Sequence, residues 1–247
     1  MASWQDLDDE LNAWDDVGLC AQFWWRDDDA VQVTPALERL LDMQARVKVP
    51  LVLAVVPADL DAGLADRLNR QMSVDVVQHG FAHKNHAAAG EKSSEYPEIR
   101  DAHEMIRDVV SGWSMMSPFA QRCKIFVPPW NRMSERLHQE LSAQGYLGAS
   151  TFGPRKNSTV SLVNTHMDLI DWRGHRGFAG EKKVLDQVHD HLYGKRCQHH
   201  DPTEPTGLLS HHLDHDDACW DFLEKFLHWT QSRQTIEWLP ANRLFGT

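Results

Sequence analysis

Apolar and polar positions change their period along the chain every 20 to 40 residues. Trp4, Leu7, Leu11 and Trp14 recur at steps of three and four among acidic neighbours, which predicts a short helix with one apolar stripe over 4–14. Residues 20–26 (CAQFWWR) predict a strand that ends at the acid run Asp27-Asp28-Asp29. Thr34-Pro35 then opens a helix, Thr as cap and Pro in the first turn, with Leu37, Leu40 and Leu41 as its buried stripe. The unbroken apolar run 49–56 (VPLVLAVV) is the pattern of a strand covered on both faces. A helix near 59–71 follows, and a strand at 74–78 leads into His79-Gly80. After a polar loop come a helix at 97–116, a strand at 123–127 stopped by Pro128-Pro129, and a helix at 135–144 capped by Ser134 and ended by Gly145. Strand-like pieces recur at 147–152, 160–164 and 167–171. A helix at 180–193, a strand at 206–210 running into His211-His212, a helix at 216–231 and a final strand QTIEW that would close the sheet complete the pattern.

Strands alternating with helices predict an α/β protein built on a parallel sheet. Seven or so such units without a long linker favour one barrel over residues 19–247, with residues 1–18 as an acidic helical extension. The polar clusters fall at the C-terminal ends of the predicted strands. In a β/α barrel those ends share one mouth, so distant clusters would converge there.

Composition narrows the chemistry. The 247 residues carry 25 Lys+Arg against 36 Asp+Glu, a net charge of −11, which argues against nucleic acid or an anionic membrane as partner. No apolar run approaches membrane-spanning length, and the acidic opening lacks the pattern of a secretory signal. Four scattered cysteines without a CxxC pair fit reduced thiols, so the expected location is the cytoplasm. Fifteen histidines stand out, and they are bunched. A small-molecule or oligosaccharide substrate is the expected partner, with a homo-oligomer left open.

Five constellations carry candidate chemistry. In Asp27-Asp28-Asp29, one carboxylate can hold a cation while a neighbour takes a proton from water, although acid runs are more often solvated surface. His79 and His83, four apart, can bind one cation together; His86 reads as a surface histidine. Pro128-Pro129-Trp130-Asn131 is a rigid turn whose Trp can stack on a sugar ring. Asp171-Trp172-Arg173 is either an end-of-strand ion pair or part of a pocket wall. His211, at the end of a buried strand, can protonate a leaving group, with His212 as its competitor. A Cys197/His199/His200 metal clip is a lesser candidate. No GxSxG elbow, phosphate-binding loop or dinucleotide-binding turn is present.

In chain order these five resemble the motifs of the polysaccharide deacetylases, carbohydrate esterase family four: RDDD, HGFAH, VPPWN, DLIDW and LLSHH, spread over roughly residues 20–215. The resemblance implies a distorted (β/α)7 barrel and metal-dependent deacetylation of an N-acetylated sugar or related small amide. It implies Asp28 as base and His211 as general acid. Asp29, His79 and His83 become ligands of a divalent ion, zinc first, with Co, Ni, Mn or Fe also suited. Asp27/Asp28 is the alternative register. Arg26, Asp27, Pro129, Trp130, Asn131, Asp171, Trp172, Arg173 and His212 fall in the substrate-binding or supporting positions. Three departures are visible: Gly80 replaces the usual Ser/Thr, Val127 stands where the family has the Arg that orients the base, and Asn131 replaces Gly. Arg26 or Arg173 is the candidate substitute for that guanidinium. A non-catalytic metal- and carbohydrate-binding relative, and a barrel hydrolase of cyclic amides or ureides, are the alternative functions.

Overall fold

The computed structural model describes residues 2–155 and 161–246. Its centre is β1 (Ala21–Ala30), flanked by β2 (Leu51–Val55) on one side and β8 (Thr206–Ser210) on the other. Beyond β2 lie β3 (Val74–His79), β4 (Arg122–Val127) and the two-residue strands β5 (Gly148–Ala149) and β6 (Ser161–Leu162), while β7 (Met167–Asp168) flanks β8. Every pairing is parallel, and the order β6-β5-β4-β3-β2-β1-β8-β7 curls into a barrel-like α/β fold. β6 and β7 are the two ends of this path and do not pair with each other, so the ladder does not close among the described residues.

Strand alternation sorts the core into two faces. Phe23, Trp25, Leu51, Leu53 and Val55 pack outward with Leu37, Leu40 and Leu41 of α2 (Pro35–Val47) and with Phe222, Leu223 and Phe226 of α7 (Asp217–Gln231). Trp24, Val52, Ala54, Val77, Ile125 and Val127 form the interior cluster. Its far end is plugged by α8 (Ala241–Phe245), a helix the sequence pattern did not predict. The Phe245 ring occupies the space a Cβ on Gly148 would need, and the Ala241 N–H is donated to Asp75 near the start of β3. The opposite, C-terminal ends of the strands are left open.

The helix α1 (Trp4–Asp15) begins at a reciprocal Ser3/Asp6 capping box and buries Leu7, Leu11 and Trp14 in the outer core. It lies against α6 (Glu181–Arg196), where Arg196 pairs with Glu10 at 2.7 Å, and Trp4 packs on Phe222 and Trp229 of α7. Among the described residues no helix is long and apolar enough to cross a membrane.

Three sequence expectations need correction. The acid run does not follow β1 but belongs to it, because Asp27 and Asp28 find buried partners and so do not need water. The strand pieces near 150, 160 and 167 are only two residues each, with position 160 outside the described residues. The final strand, β9 (Ile236–Trp238), pairs with Ala21–Phe23 at the start of β1 and does not close the sheet.

Candidate active site

Along β1, Trp24, Arg26 and Asp28 share the interior parity, while Trp25 and Asp27 share the outer one. Asp28 therefore faces the open end of the barrel, and Asp27 faces away from it. Asp27 accepts hydrogen bonds from the Ser210 hydroxyl at 2.6 Å, from the His212 N–H at 3.1 Å and from His212 Nδ1 at 2.5 Å. Burial opposes ionisation of Asp27, but the His212 ring beside it outweighs this and lowers its pKa. Asp27 and His212 are thus a buried pair behind the site.

Asp29 breaks the alternation. Its φ of 72° lies in the left-handed region, which Asp tolerates better than most residues, and the β1–β2 register slips between Asp27 and Ala30. The turn brings Asp29 into the same cavity as Asp28. His79 Nε2 lies 3.0 Å and His83 Nε2 3.3 Å from Asp29 Oδ1. Ligand bonds of about 2.0–2.1 Å in a tetrahedral array place donor atoms about 3.3 Å apart, so this spacing suits one small cation. Asp29 Oδ1 is buried and has no in-line hydrogen-bond donor, an orphaned acceptor of the kind a cation satisfies. His79 Nδ1 is 3.0 Å from the Val127 carbonyl; donating there leaves the Nε2 lone pair for a metal. The donor set of two imidazoles and a carboxylate fits a divalent ion with positions open for water and substrate.

Asp28 is held by Arg26, whose Nη2 donates to Oδ2 at 3.0 Å and whose Nε lies 2.9 Å from Oδ1, both side chains being buried. Arg26 also donates to the Ser150 hydroxyl and to Asn131 Oδ1, each at 2.6 Å. The guanidinium beside Asp28 thus comes from two residues upstream on the same strand, and Asn131 is one of its acceptors. Arg173 is exposed at the cavity rim and is not the group beside Asp28. His211 Nε2 stands 3.9 Å from Asp28 Oδ2, and the Trp172 and His211 rings pack edge to face with centroids 4.6 Å apart.

The cavity these groups enter has a volume of about 710 Å³. Trp130, Asn131, Asp171, Trp172 and Arg173 also line it, whereas Pro129 and His212 do not. Trp130 packs on His83 at 4.3 Å. Sequence reasoning missed Asp168, a lining residue at the end of β7 that accepts from Trp172 Nε1 at 2.7 Å; burial pushes its carboxyl up. The DLID segment offered two acids, and extending the strand to 171 singled out Asp171, which also lines the cavity, and passed over Asp168. Asp171 is paired with Lys183 at 3.6 Å and is part-exposed.

Backbone strain gathers at this place. Of the seven described non-glycine residues with positive φ, Asp29, His83, Trp130, Asn131 and Arg176 all line the cavity. The loop carrying His83 is tied by Glu95, which is buried and accepts from the Phe81 N–H at 3.0 Å and the Ala82 N–H at 2.7 Å. A Cβ on Gly80 would stand 2.1 Å from Glu95 Oε2 and 2.5 Å from Pro129 Cδ, and Gly80 has a φ of +56°. Glycine at this position and Glu95 therefore go together, and nothing local in the sequence links residues 80 and 95. Gly80→Ser is expected to displace Glu95 and weaken metal affinity at least tenfold, measured by titration with Zn²⁺; unchanged affinity would contradict the coupling.

A second group, His166, His191 and Glu204, also converges. Here the Gly207 N–H donates to His166 Nδ1 at 3.0 Å, so the neutral ring carries its proton on Nε2, facing Glu204 Oε1 at 3.3 Å. That tautomer suits a hydrogen bond to the carboxylate and not a metal bond through Nε2. Burial works against the Glu204 carboxylate, but His166 and His191 outweigh it and hold it at about 2. Burial pushes His191 down to about 3. The unfolded chain, with His near 6.5, therefore binds a proton across a pH range in which the folded chain does not. Stability is full above that value and falls toward pH 3, by up to about 1.4 kcal/mol per pH unit from His191. Melting temperature should decline from pH 7 to 5, more shallowly in His191→Gln; equal slopes would contradict this assignment. Cys197, a free thiol, does not join His199 and His200 in a ligand cluster among the described residues.

No family model matches the sequence, and no curated protein matches it. Solved structures do. A peptidoglycan N-acetylglucosamine deacetylase superposes with a TM-score of 0.60 at 13% identity, over 96% of this chain and 97% of that one. A family 4 acetyl xylan esterase from Clostridium thermocellum, in complex with a cobalt ion, gives 0.53 at 15% identity, over 91% and 90%. A carbohydrate esterase family four enzyme from Streptococcus mutans gives 0.58 at 14% identity, over 94% and 88%. The chain has the polysaccharide deacetylase fold. Within that deacetylase fold, the Asp29, His79 and His83 cluster lies at the C-terminal ends of β1 and β3 and just beyond, where β/α barrels carry their chemistry.

Proposed function

We propose that the protein is a divergent polysaccharide deacetylase of carbohydrate esterase family four, hydrolysing the acetamide bond of an N-acetylated sugar or related small amide with the help of a divalent metal. The observation that carries the reading is the arrangement around Asp28. An Arg-bracketed carboxylate shares one open cavity with a three-donor cation cluster and with His211. The solved neighbour described as an N-acetylglucosamine deacetylase supports amide hydrolysis, and the acetyl xylan esterase with its cobalt ion supports hydrolysis of an acetyl group.

Asp29, His79 and His83 would hold the cation, which would polarise the amide carbonyl and acidify a water molecule beside it. Asp28 takes the proton as the water oxygen bonds to the carbonyl carbon. Arg26 fixes the orientation of that carboxylate through its paired contacts to both oxygens. His211 gives its proton to the amide nitrogen as the C–N bond breaks, so acetate and a free amine leave. The 3.9 Å gap between His211 Nε2 and Asp28 Oδ2 is too long for a direct hydrogen bond and leaves the imidazole available to the leaving group. Trp172 and Asp168 hold the His211 wall, and Trp130 offers a ring face to a sugar.

Zinc-loaded protein should release acetate from N-acetylated amino sugars and lose this activity on chelation. A metal-loaded preparation that releases none from monomeric or oligomeric substrates would overturn the assignment in favour of a binding protein.

A further inference from the structure

The cavity mouth gathers four basic side chains in one place. The chain has 11 more acidic than basic residues, yet Arg132, Arg173, Arg176 and Lys183 all line this one opening. Two of them are neutralised: Arg176 reaches Asp214 at 3.4 Å, and Lys183 reaches Asp171 at 3.6 Å. The other two are not. Among the described residues, the side chain of Arg132, exposed after β4, donates only to the Ser93 carbonyl, at 3.0 Å. Arg173, exposed after β7, makes no hydrogen bond or ion pair with any described residue.

The acids of the cavity cannot supply the missing partners. Asp28 is bound to Arg26, Asp29 faces the two imidazoles, and Asp168 accepts from Trp172 and the Ile170 N–H. Asp171 and Asp214 already serve Lys183 and Arg176. Two guanidinium forks are therefore left over at the entrance, on loops from different parts of the sheet, and guanidinium forks match carboxylate and phosphate oxygens.

Building on the deacetylase reading, we propose that the substrate is anionic: an N-acetylated amino sugar bearing a carboxylate or phosphate, which Arg132 and Arg173 hold while the acetamide reaches Asp28. The exposed faces of Trp172 and Phe152 in the same cavity flank the sugar between these two ends.

The test compares acetate release by the zinc-loaded enzyme from N-acetylglucosamine, its 6-phosphate and N-acetylmuramic acid. The phosphate and carboxylate arms tell which anion is meant. At least one should exceed the neutral sugar about tenfold or more in kcat/KM, chiefly through KM, with the advantage shrinking as salt is raised. Arg132→Gln/Arg173→Gln should bring the charged and neutral sugars within about twofold of each other, and Arg132→Lys/Arg173→Lys should restore part of the gap. Both positions are exposed, so unchanged melting temperature serves as the folding control. Equal turnover of neutral and charged sugars by the wild type, or a preference that survives the double Gln variant, overturns the proposal while leaving the deacetylase reading intact. Absence of acetate from all three substrates and from neutral oligomers overturns both.

Discussion

Asp28→Asn is expected to lower amide hydrolysis about 10²–10⁴-fold, the range attributed to a positioned general base. The substitution keeps the shape of the side chain and one acceptor oxygen but cannot take a proton from water. Arg26 is not orphaned by it, because Ser150 and Asn131 remain as acceptors. Metal content should be unchanged, since the cation donors are Asp29, His79 and His83. The diagnostic result is therefore loss of kcat with metal stoichiometry retained. Wild-type turnover in Asp28→Asn would remove Asp28 from the mechanism. Retained turnover there with loss in Asp27→Asn would instead favour the other register of the acid run, although Asp27 is sealed against His212 and Ser210.

His83→Ala is expected to lose both metal and activity. His83 is part-exposed and sits on a loop held by Glu95, so its removal leaves the interior core untouched. His79 is the less informative choice, because it is buried and also bonded to Val127. His86, three residues along the same loop and outside the cavity lining, supplies the control. Elemental analysis should give about one equivalent of divalent metal in wild type and His86→Ala, and well below a tenth of that in His83→Ala. Equal metal in wild type and His83→Ala would dismiss the cluster.

Much of this arrangement was legible in the sequence, for a physical reason. Buried parallel strands leave continuous apolar runs, so β2, β3, β4 and β8 stand out, and the polar residues that follow them mark the open end of the barrel. The acid run was harder to place. Asp27 and Asp28 read as following the strand because the sequence does not show that His212 and Arg26 neutralise them inside it. Parity along β1 separates Asp28 from Asp27, but the left-handed turn at Asp29 that restores a second carboxylate to the cavity has no local signature beyond the residue type. β5, β6 and β7 are too short for a period of two to show. The Glu95–Gly80 contact and the Asp168–Trp172 bond depend on tertiary approach, and only the second lies within a motif that sequence reasoning had singled out.

The central claim is that one cation sits between Asp29, His79 and His83. Anomalous diffraction at the zinc edge from crystals of the zinc-loaded protein tests it most directly. The account predicts one strong peak about 2.0–2.2 Å from Asp29 Oδ1, His79 Nε2 and His83 Nε2. No peak there, or a peak only between His166, His191 and Glu204, would contradict it.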